Sequence, residues 1–305
     1  MSNLIIGYGV QGKKRLLNIS KNEKTFIYDP LYKGPNSINN LENFNYDLIQ
    51  NTYLCTPDNL KNEYIFKFID LKKNILIEKP LILERQEYQK IIKSNKAKLY
   101  TAYNHRFEPH IIKIKSLIQK KVIGKIYHIE IHYGNGTIQL WKNLWRSKDE
   151  YTILYDLGSH VLDMILFIFG KLNFNLQSGI KKKNELNCFD YFNFYSNSSP
   201  SISCTLSTIN WKNFFALNII GQNGSINLNG LCKWGPSVLK VRKRVFPSGI
   251  PKEKTFILKQ NESNFIPVGT THRLENLRNQ TLELIEIQIE SCLDESDIIR
   301  LEGNF

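Results

Sequence analysis

Leu4-Ile5-Ile6-Gly7-Tyr8-Gly9-Val10-Gln11-Gly12 joins an apolar run to three glycines spaced Gly-x-Gly-x-x-Gly. The run reads as a buried strand over 3–6, and the apolar spacing that follows predicts a helix over 10–20, so the glycines fall on a strand-to-helix turn. Each has a separate task there. Gly7 permits the tight turn, Gly9 lets the backbone approach a pyrophosphate, and Gly12 lets helix and sheet pack closely. The helix N-terminus, with Val10 and Gln11 in its first turn, then faces the anion.

Outward from this turn, short β-branched or aromatic runs alternate with longer mixed stretches as far as Tyr103. Strands are expected at 3–6, 25–28, 47–49, 52–55, 74–77 and 98–103, with helices over 10–20, 59–70 and 84–94. That order is the βαβ pattern of a parallel sheet covered by helices. Asp29 closes the second strand about 20 residues past the glycines, where a carboxylate takes the ribose hydroxyls of NAD and repels a 2′-phosphate. Tyr32 and Lys33 stand close enough to serve NADP instead, and Asp29 also fits a turn residue before Pro30. Lys13, Lys14 and Arg15 oppose the helix dipole unless an anion is near, which places them beside the pyrophosphate.

Past Pro109 the texture changes. A helix over 110–120 leads to an alternating strand at 126–133, a helix over 158–169, and strands at 189–195, 201–207, 214–220, 225–228 and 238–245. Asn223-Gly224 marks a hairpin. The predicted class is α/β: a Rossmann dinucleotide-binding domain over 1–121, then a domain over 122–305 with a large open, mostly antiparallel sheet. Lys181-Lys182-Lys183 reads as a solvated loop, and a closing amphipathic helix is expected over 272–292.

Composition tests other classes of function. The 305 residues hold 41 Lys plus Arg against 28 Asp plus Glu, a formal charge of +13. Such a balance raises nucleic acid or an anionic membrane as a partner. No basic-aromatic stripe supports the first, and the longest apolar run, 164–169, is far short of the ~20 residues that cross a bilayer. Ala97, Ala102 and Ala216 are the only alanines while Asn, Ile and Lys crowd every row, so the charge follows the usage of an AT-rich genome. Neither nucleic acid nor membrane is expected as a partner. Five scattered cysteines without a C-x-x-C pair disfavour a zinc cage or a disulfide framework, and no metal is expected. His128 and His132 share a strand face, and packing there is favoured over a metal site. Together with an N-terminus that meets a glycine before any signal-peptide stretch, these features predict a cytoplasmic protein.

Two further stretches carry chemistry. Glu78-Lys79-Pro80 stands at the end of the expected fifth strand, on the carboxyl edge where open α/β sheets bind ligands, and a Lys79-Pro80 cis peptide would hold the ammonium in place. Asp156-x-Gly158-x-His160-x-x-Asp163 stands at an expected helix start. Asp156 can cap that helix or hydrogen-bond an imidazole, and Asp163 lies one turn beyond His160 on the same face.

Taken in order, these pieces resemble the Gfo/Idh/MocA family of NAD(P)-dependent oxidoreductases. The resemblance also rests on Thr56-Pro57, Tyr103-Asn104-His105-Arg106-Phe107-Glu108-Pro109, Ile123-Gly124-Lys125-Ile126, Trp145-Arg146, Phe169-Gly170 and Ile220-Gly221-x-x-Gly224-Ser225. It implies hydride transfer between nicotinamide and a secondary alcohol or ketone of a sugar, cyclitol or nucleotide-linked sugar. Lys79 would contact the reacting hydroxyl, His160 would be the general acid/base, and Asp156 would lie beside the substrate. Gly7, Gly9, Val10, Gln11, Gly12, Asp29, Thr56, Pro57, Glu78, Lys79 and Asn104 would bind the cofactor, expected to be NAD with NADP left open. Lys142, Trp145 and Arg146 would grip the substrate, Arg146 above all if it is anionic, and the C-terminal sheet would form a homodimer or homotetramer. An NAD-recycling glycosidase or epimerase-type enzyme, or a non-catalytic dinucleotide sensor, are the alternatives. Two positions depart from many relatives: Tyr151 and Thr152 stand in place of paired glycines, and Lys61 stands near the place of a histidine after the Thr-Pro turn.

Overall fold

A computed structural model of the chain describes residues 2–94, 98–142 and 145–259. The chain divides into two compact units, Met1–Asn261 and Glu262–Phe305. The second lies outside the described residues, and with it the helix expected over 272–292.

The first half alternates as its sequence implies. Strands β1 (Asn3–Ile6), β2 (Thr25–Tyr28), β3 (Asn51–Leu54), β4 (Asn74–Ile77) and β5 (Leu99–Thr101) are interleaved with helices α1 (Val10–Asn18), α2 (Asp58–Asp70) and α3 (Arg85–Ser94). The strands form a parallel sheet in the order β2-β1-β3-β4-β5. Strand order reverses direction between β1 and β3, which opens the crevice where such sheets bind ligands. Leu4, Ile6, Leu54, Ile75 and Ile77 of the strands pack with Ile65, Phe68 and Ile69 of α2 in one core. The stretch 47–49 is a 3-10 turn, Tyr46–Leu48, rather than a strand, because the Asn45 side chain accepts a bond from the Asp47 N–H at 3.0 Å and turns the backbone first. Glu78-Lys79-Pro80 therefore follows the fourth strand of the chain, not the fifth.

The second half builds its own core. Helix α4 (Pro109–Gln119), strand β6 (Ile126–Gly134), and helices α5 (Ile138–Trp141) and α6 (Ser159–Phe169) are followed by β7 (Gln177–Lys182), β8 (Tyr191–Ser196), β9 (Ser201–Ser207), β10 (Phe214–Gly221), β11 (Gly224–Asn229), β12 (Ser237–Lys243) and β13 (Lys252–Leu258). The eight strands form a sheet in the order β13-β12-β11-β10-β6-β9-β8-β7. Only β6 and β9 run parallel among them. One face carries Ile129, Ile131, Ile202, Leu206, Phe215 and Leu217 against Ile111 and Ile114 of α4 and Val161, Met164 and Ile165 of α6. Burying each such side chain contributes about 1.5–3 kcal/mol before chain entropy is counted. The alternate residues, including His128, Glu130 and Asn218, form a polar face, with Asn218 donating to Glu130 at 2.9 Å.

Two local readings change. Lys181 and Lys182 belong to β7 rather than to a loop. In the β10–β11 hairpin Gly221 pairs with Gly224, so the turn residues are Gln222 and Asn223. A Cβ on Gly224 would lie 2.0 Å from the carbonyl oxygen of Arg242 on β12, so the glycine serves close strand approach rather than the turn itself. Among the described residues no helix is long and apolar enough to cross a membrane.

Candidate active site

The glycine turn separates its three residues as the spacing implies. Gly7 adopts φ +88°, and a Cβ there would lie 2.8 Å from the Cys55 carbonyl oxygen just past β3. A Cβ on Gly12 would lie 2.1 Å from the Gly7 carbonyl oxygen, so helix and turn touch at that point. Around Gly9 nothing lies within 4 Å of the Cβ position. Gly9 caps α1 with no side-chain hydrogen bond, and Val10 and Gln11 are exposed beside it. Unpaired N–H groups at a helix start, fronted by open space, fit a pyrophosphate. Thr56 Oγ1, at the end of β3 across the same crevice, is buried without a partner. Pro57 caps α2, and Asn104 is an exposed residue at the start of the 3-10 turn Asn104–Phe107.

Asp29 is tied to this turn. Its Oδ2 accepts from the Tyr8 N–H at 2.7 Å and its Oδ1 from the Leu31 N–H at 2.8 Å. Each oxygen keeps a second lone pair for a ribose hydroxyl. The Tyr32 ring lies 4.4 Å from that of Tyr8, so this side chain packs beside the turn. Lys13 and Lys14 are exposed on α1, but Arg15 is directed at a carboxylate of the protein itself. It pairs with Glu78 at 2.5 Å, which spends one Glu78 oxygen on linking α1 to the end of β4.

Lys79 follows Glu78, and the Lys79-Pro80 bond is cis. The Lys79 ammonium forms an ion pair with the Asp156 carboxylate and lies 3.2 Å from the Asp156 carbonyl oxygen. Asp156 does not cap a helix. It sits inside a π-helical turn, Leu154–Gly158, that runs directly into α6, and helical dihedrals at Ile153 and Gly158 leave no cap position. Its carboxylate is thereby turned to Lys79.

His160 opens α6 and is 7% exposed, with Nδ1 buried and without a partner. Burial, then the Lys79 and Lys233 ammonium groups, push its pKa down to about 3 against the opposing charge of Asp156. The ring is neutral at physiological pH. Asp163 does not serve it: Arg106 takes both Asp163 oxygens, with Nε at 3.0 and 2.8 Å, and joins the 104–107 turn to α6. Arg146 lies on the 3-10 turn Trp145–Lys148, and the side chains of Trp145 and Arg146 are outside the described ones. Lys142 is exposed beyond α5.

Of three further residues at the site, sequence reasoning named His105 and Lys61 without their contacts and missed Lys233. The His105 ring stacks on His160, with centroids 4.2 Å apart, and Lys233 reaches it from the turn between β11 and β12. Lys61, 2% exposed, pairs with Asp58 and donates to the Pro80 carbonyl oxygen. The 103–109 motif pointed at His105, whereas nothing in the spacing around Lys233 pointed anywhere.

Comparison with known proteins agrees with this fold. The sequence profile of the GFO/IDH/MocA C-terminal domain matches residues 111–227. Oxidoreductase P35 of Formosa agariphila is 28% identical over 150 residues, 46% of each chain. The fold matches an oxidoreductase of Desulfitobacterium hafniense with a TM-score of 0.72, at 17% identity over 85% of this chain and 83% of that one. Residues 111–227 thus match the GFO/IDH/MocA C-terminal domain, and the chain is similar to oxidoreductases in sequence and in fold.

Other likenesses extend the picture. Glucose-6-phosphate 3-dehydrogenase of Bacillus subtilis is 24% identical over 181 residues, 53% of this chain and 51% of that one. Levoglucosan dehydrogenase, in complex with NADH, superposes with a TM-score of 0.68 at 17% identity, covering 85% of this chain and 80% of that one. The chain spans about half the length of the curated relatives it matches. A second profile, the mannose-6-phosphate isomerase C-terminal segment, matches residues 248–303. Mannose-1-phosphate guanylyltransferase RfbM of Salmonella typhimurium is similar over a short stretch, 54% identical over 50 residues, 16% of this chain and 10% of that one. Two profiles of different kinds thus match successive stretches of the chain.

Proposed function

We propose that the protein is an NAD(P)-dependent dehydrogenase or reductase of CH–OH groups. It moves a hydride between nicotinamide and a secondary alcohol or ketone of a sugar, cyclitol or nucleotide-linked sugar. One observation carries this reading: an ammonium held by a carboxylate, Lys79 on Asp156, acts on a neutral buried imidazole, His160, whose Nδ1 has no partner. Bound nicotinamide supplies the hydride acceptor or donor at C4. His160 takes the hydroxyl proton in the oxidation direction, and Lys79 stabilises the oxygen as it gains negative charge. Asp156 orients Lys79, since its carboxylate and its carbonyl both face that ammonium.

Residues 1–121 hold the cofactor in this reading, and 122–305 carry the substrate and the self-association face. Asp29 favours NAD, because a carboxylate repels a 2′-phosphate. The substrate carries an anionic group in this reading, since one relative is named for glucose 6-phosphate, and Arg146 is the residue assigned to it. The polar outer face of the eight-stranded sheet is the surface for a homodimer or homotetramer. The free thiols of Cys55, Cys188 and Cys204 fit a reducing, cytoplasmic setting.

Lys79→Ala tests the reading. Turnover followed by NADH absorbance across a panel of sugars and sugar phosphates falls about 10²–10³-fold, while NADH binding measured by fluorescence stays the same. Unchanged turnover in the variant would overturn the assignment.

A further inference from the structure

Two buried imidazoles lie face to face, and the proposed reaction uses only one of them. His105, 1% exposed on the 104–107 turn, stacks on His160 with planes 24° apart. Its Nδ1 is 3.2 Å from Lys233 Nζ, and its Nε2 is 3.1 Å from the Tyr133 hydroxyl. An ammonium can only donate, so Nδ1 of His105 carries the lone pair, and Nε2 carries the proton and donates to Tyr133. The ring is locked as one neutral tautomer, because a proton on Nδ1 would break the Lys233 bond and set two cations against each other.

The lock is itself braced. Lys233 lies 4.6 Å over the Trp234 ring, and Trp234 stacks on Tyr133 with centroids 5.7 Å apart. No carboxylate among the described residues lies within ion-pair distance of Lys233. Glu108, an acid that acts on it electrostatically, accepts at Oε2 from the Cys232 N–H and thiol.

We propose that Lys233 and His105 are positioning residues for His160: the ammonium fixes the His105 tautomer, and the His105 ring fixes the plane of His160 and keeps it uncharged. The assignment rests on the reaction proposed above, in which His160 must hold a free lone pair.

The groups that face His160 agree on its charge. Lys79 stands at the end of β4, Lys233 on the β11–β12 turn and His105 on the 104–107 turn, and Asp156 alone opposes them from the helix itself. Tyr103 and Tyr133 present rings at 5.7 and 6.3 Å, and neither is ionised, since burial pushes both phenols up. Two ammonium groups against one carboxylate disfavour an imidazolium. Lys233 itself is pushed down to about 8 by burial, so it remains mostly charged at neutral pH.

Histidine NMR titration of the cofactor-free protein tests this, with His160→Asn to assign the signal. The wild-type His160 signal, followed from about pH 8 downward as far as the fold persists, begins to titrate only below about pH 5. Lys233→Met moves its midpoint up by about one unit or more, and Lys233→Arg restores the wild-type curve. Lys233→Gln keeps an N–H donor without the charge, and serves if the methionine variant does not fold; it too raises the midpoint. The acid limb of kcat/KM shifts with the same variants in the same order. A His160 titration identical in wild type and in both uncharged variants overturns the proposal. Because the NMR signal needs no turnover, failure of the proposed reaction would show separately, as Lys79→Ala activity equal to wild type.

Discussion

The Lys61 ammonium lies 2.9 Å from the carbonyl oxygen of Pro80. That carbonyl follows Lys79 by one residue, and the same ammonium pairs with Asp58 at 2.6 Å in the first turn of α2. The loop that presents Lys79 therefore rests on a buried charge from the helix after β3. Lys61→Met keeps the volume, leaves Pro80 without this donor, and costs on the order of 1–3 kcal/mol by urea unfolding. It also lowers kcat about tenfold through misplacement of Lys79, with the NADH dissociation constant unchanged. If kcat per folded molecule equals wild type, Lys61 stabilises the loop without positioning the lysine.

The glycines give a contrast within one turn. Gly9→Ala meets no atom and leaves the thermal midpoint close to wild type, but its methyl enters the space a pyrophosphate would fill, so NADH affinity falls at least tenfold. Gly12→Ala drives a methyl into the Gly7 carbonyl and destabilises by about 1–3 kcal/mol or more. Calorimetry and fluorescence titration on the two variants separate the effects. Equal loss of stability in both would refute the distinction.

Acid should weaken the fold through its buried histidines. His160 is pushed down to about 3 and His110 to about 4, in each case mainly by burial, and His105 is lowered too. Below about pH 6.5 the unfolded chain takes protons that these folded rings refuse. Stability is therefore complete above about pH 6.5 and falls as pH drops toward the folded values, by up to about 1.4 kcal/mol per pH unit per ring. Urea midpoints from about pH 7 to pH 5 measure the slope, and His110→Asn reduces it by one ring's share. A flat profile would mean that these rings are protonated in the fold.

Much of the fold was legible because its strands are buried on a fixed pattern. The bounds of β1, β2, β4 and β9 match the sequence reading to the residue, and each carries inward apolar residues at strand spacing. Strands β7 and β13 were not read at all. They are the two edges of the large sheet, mostly exposed and bearing Lys181, Lys182, Lys252, Glu253 and Lys254, so they lack alternation and carry the charges that keep an edge from pairing further. The stretch 47–49 failed for the opposite reason: a strand-like residue, Ile49, is buried at the end of a turn set by Asn45.

At the site, Lys79, Asp156 and His160 were legible because each sits in a local motif. The roles of Asp156 and Asp163 were not, since their partners, Lys79 and Arg106, come from far along the chain. Lys233 is 128 residues from His105, and only the folding of a strand turn onto the 104–107 segment brings the two together.

The π-helical turn at Leu154–Gly158 makes packing and chemistry one coordinate. Ile153 before it and Leu157 within it enter the core; after it, Val161, Met164, Ile165 and Ile168 do. The wide turn works as a phase shifter between these two stripes, and it brings the carboxylate and carbonyl of Asp156 to one ammonium. Deleting a single residue there would rotate one stripe against the other by about 100°. A descendant of this chain could not lose the phase and keep the core. Its substrate range must therefore drift in the loops while the length of this helix stays fixed.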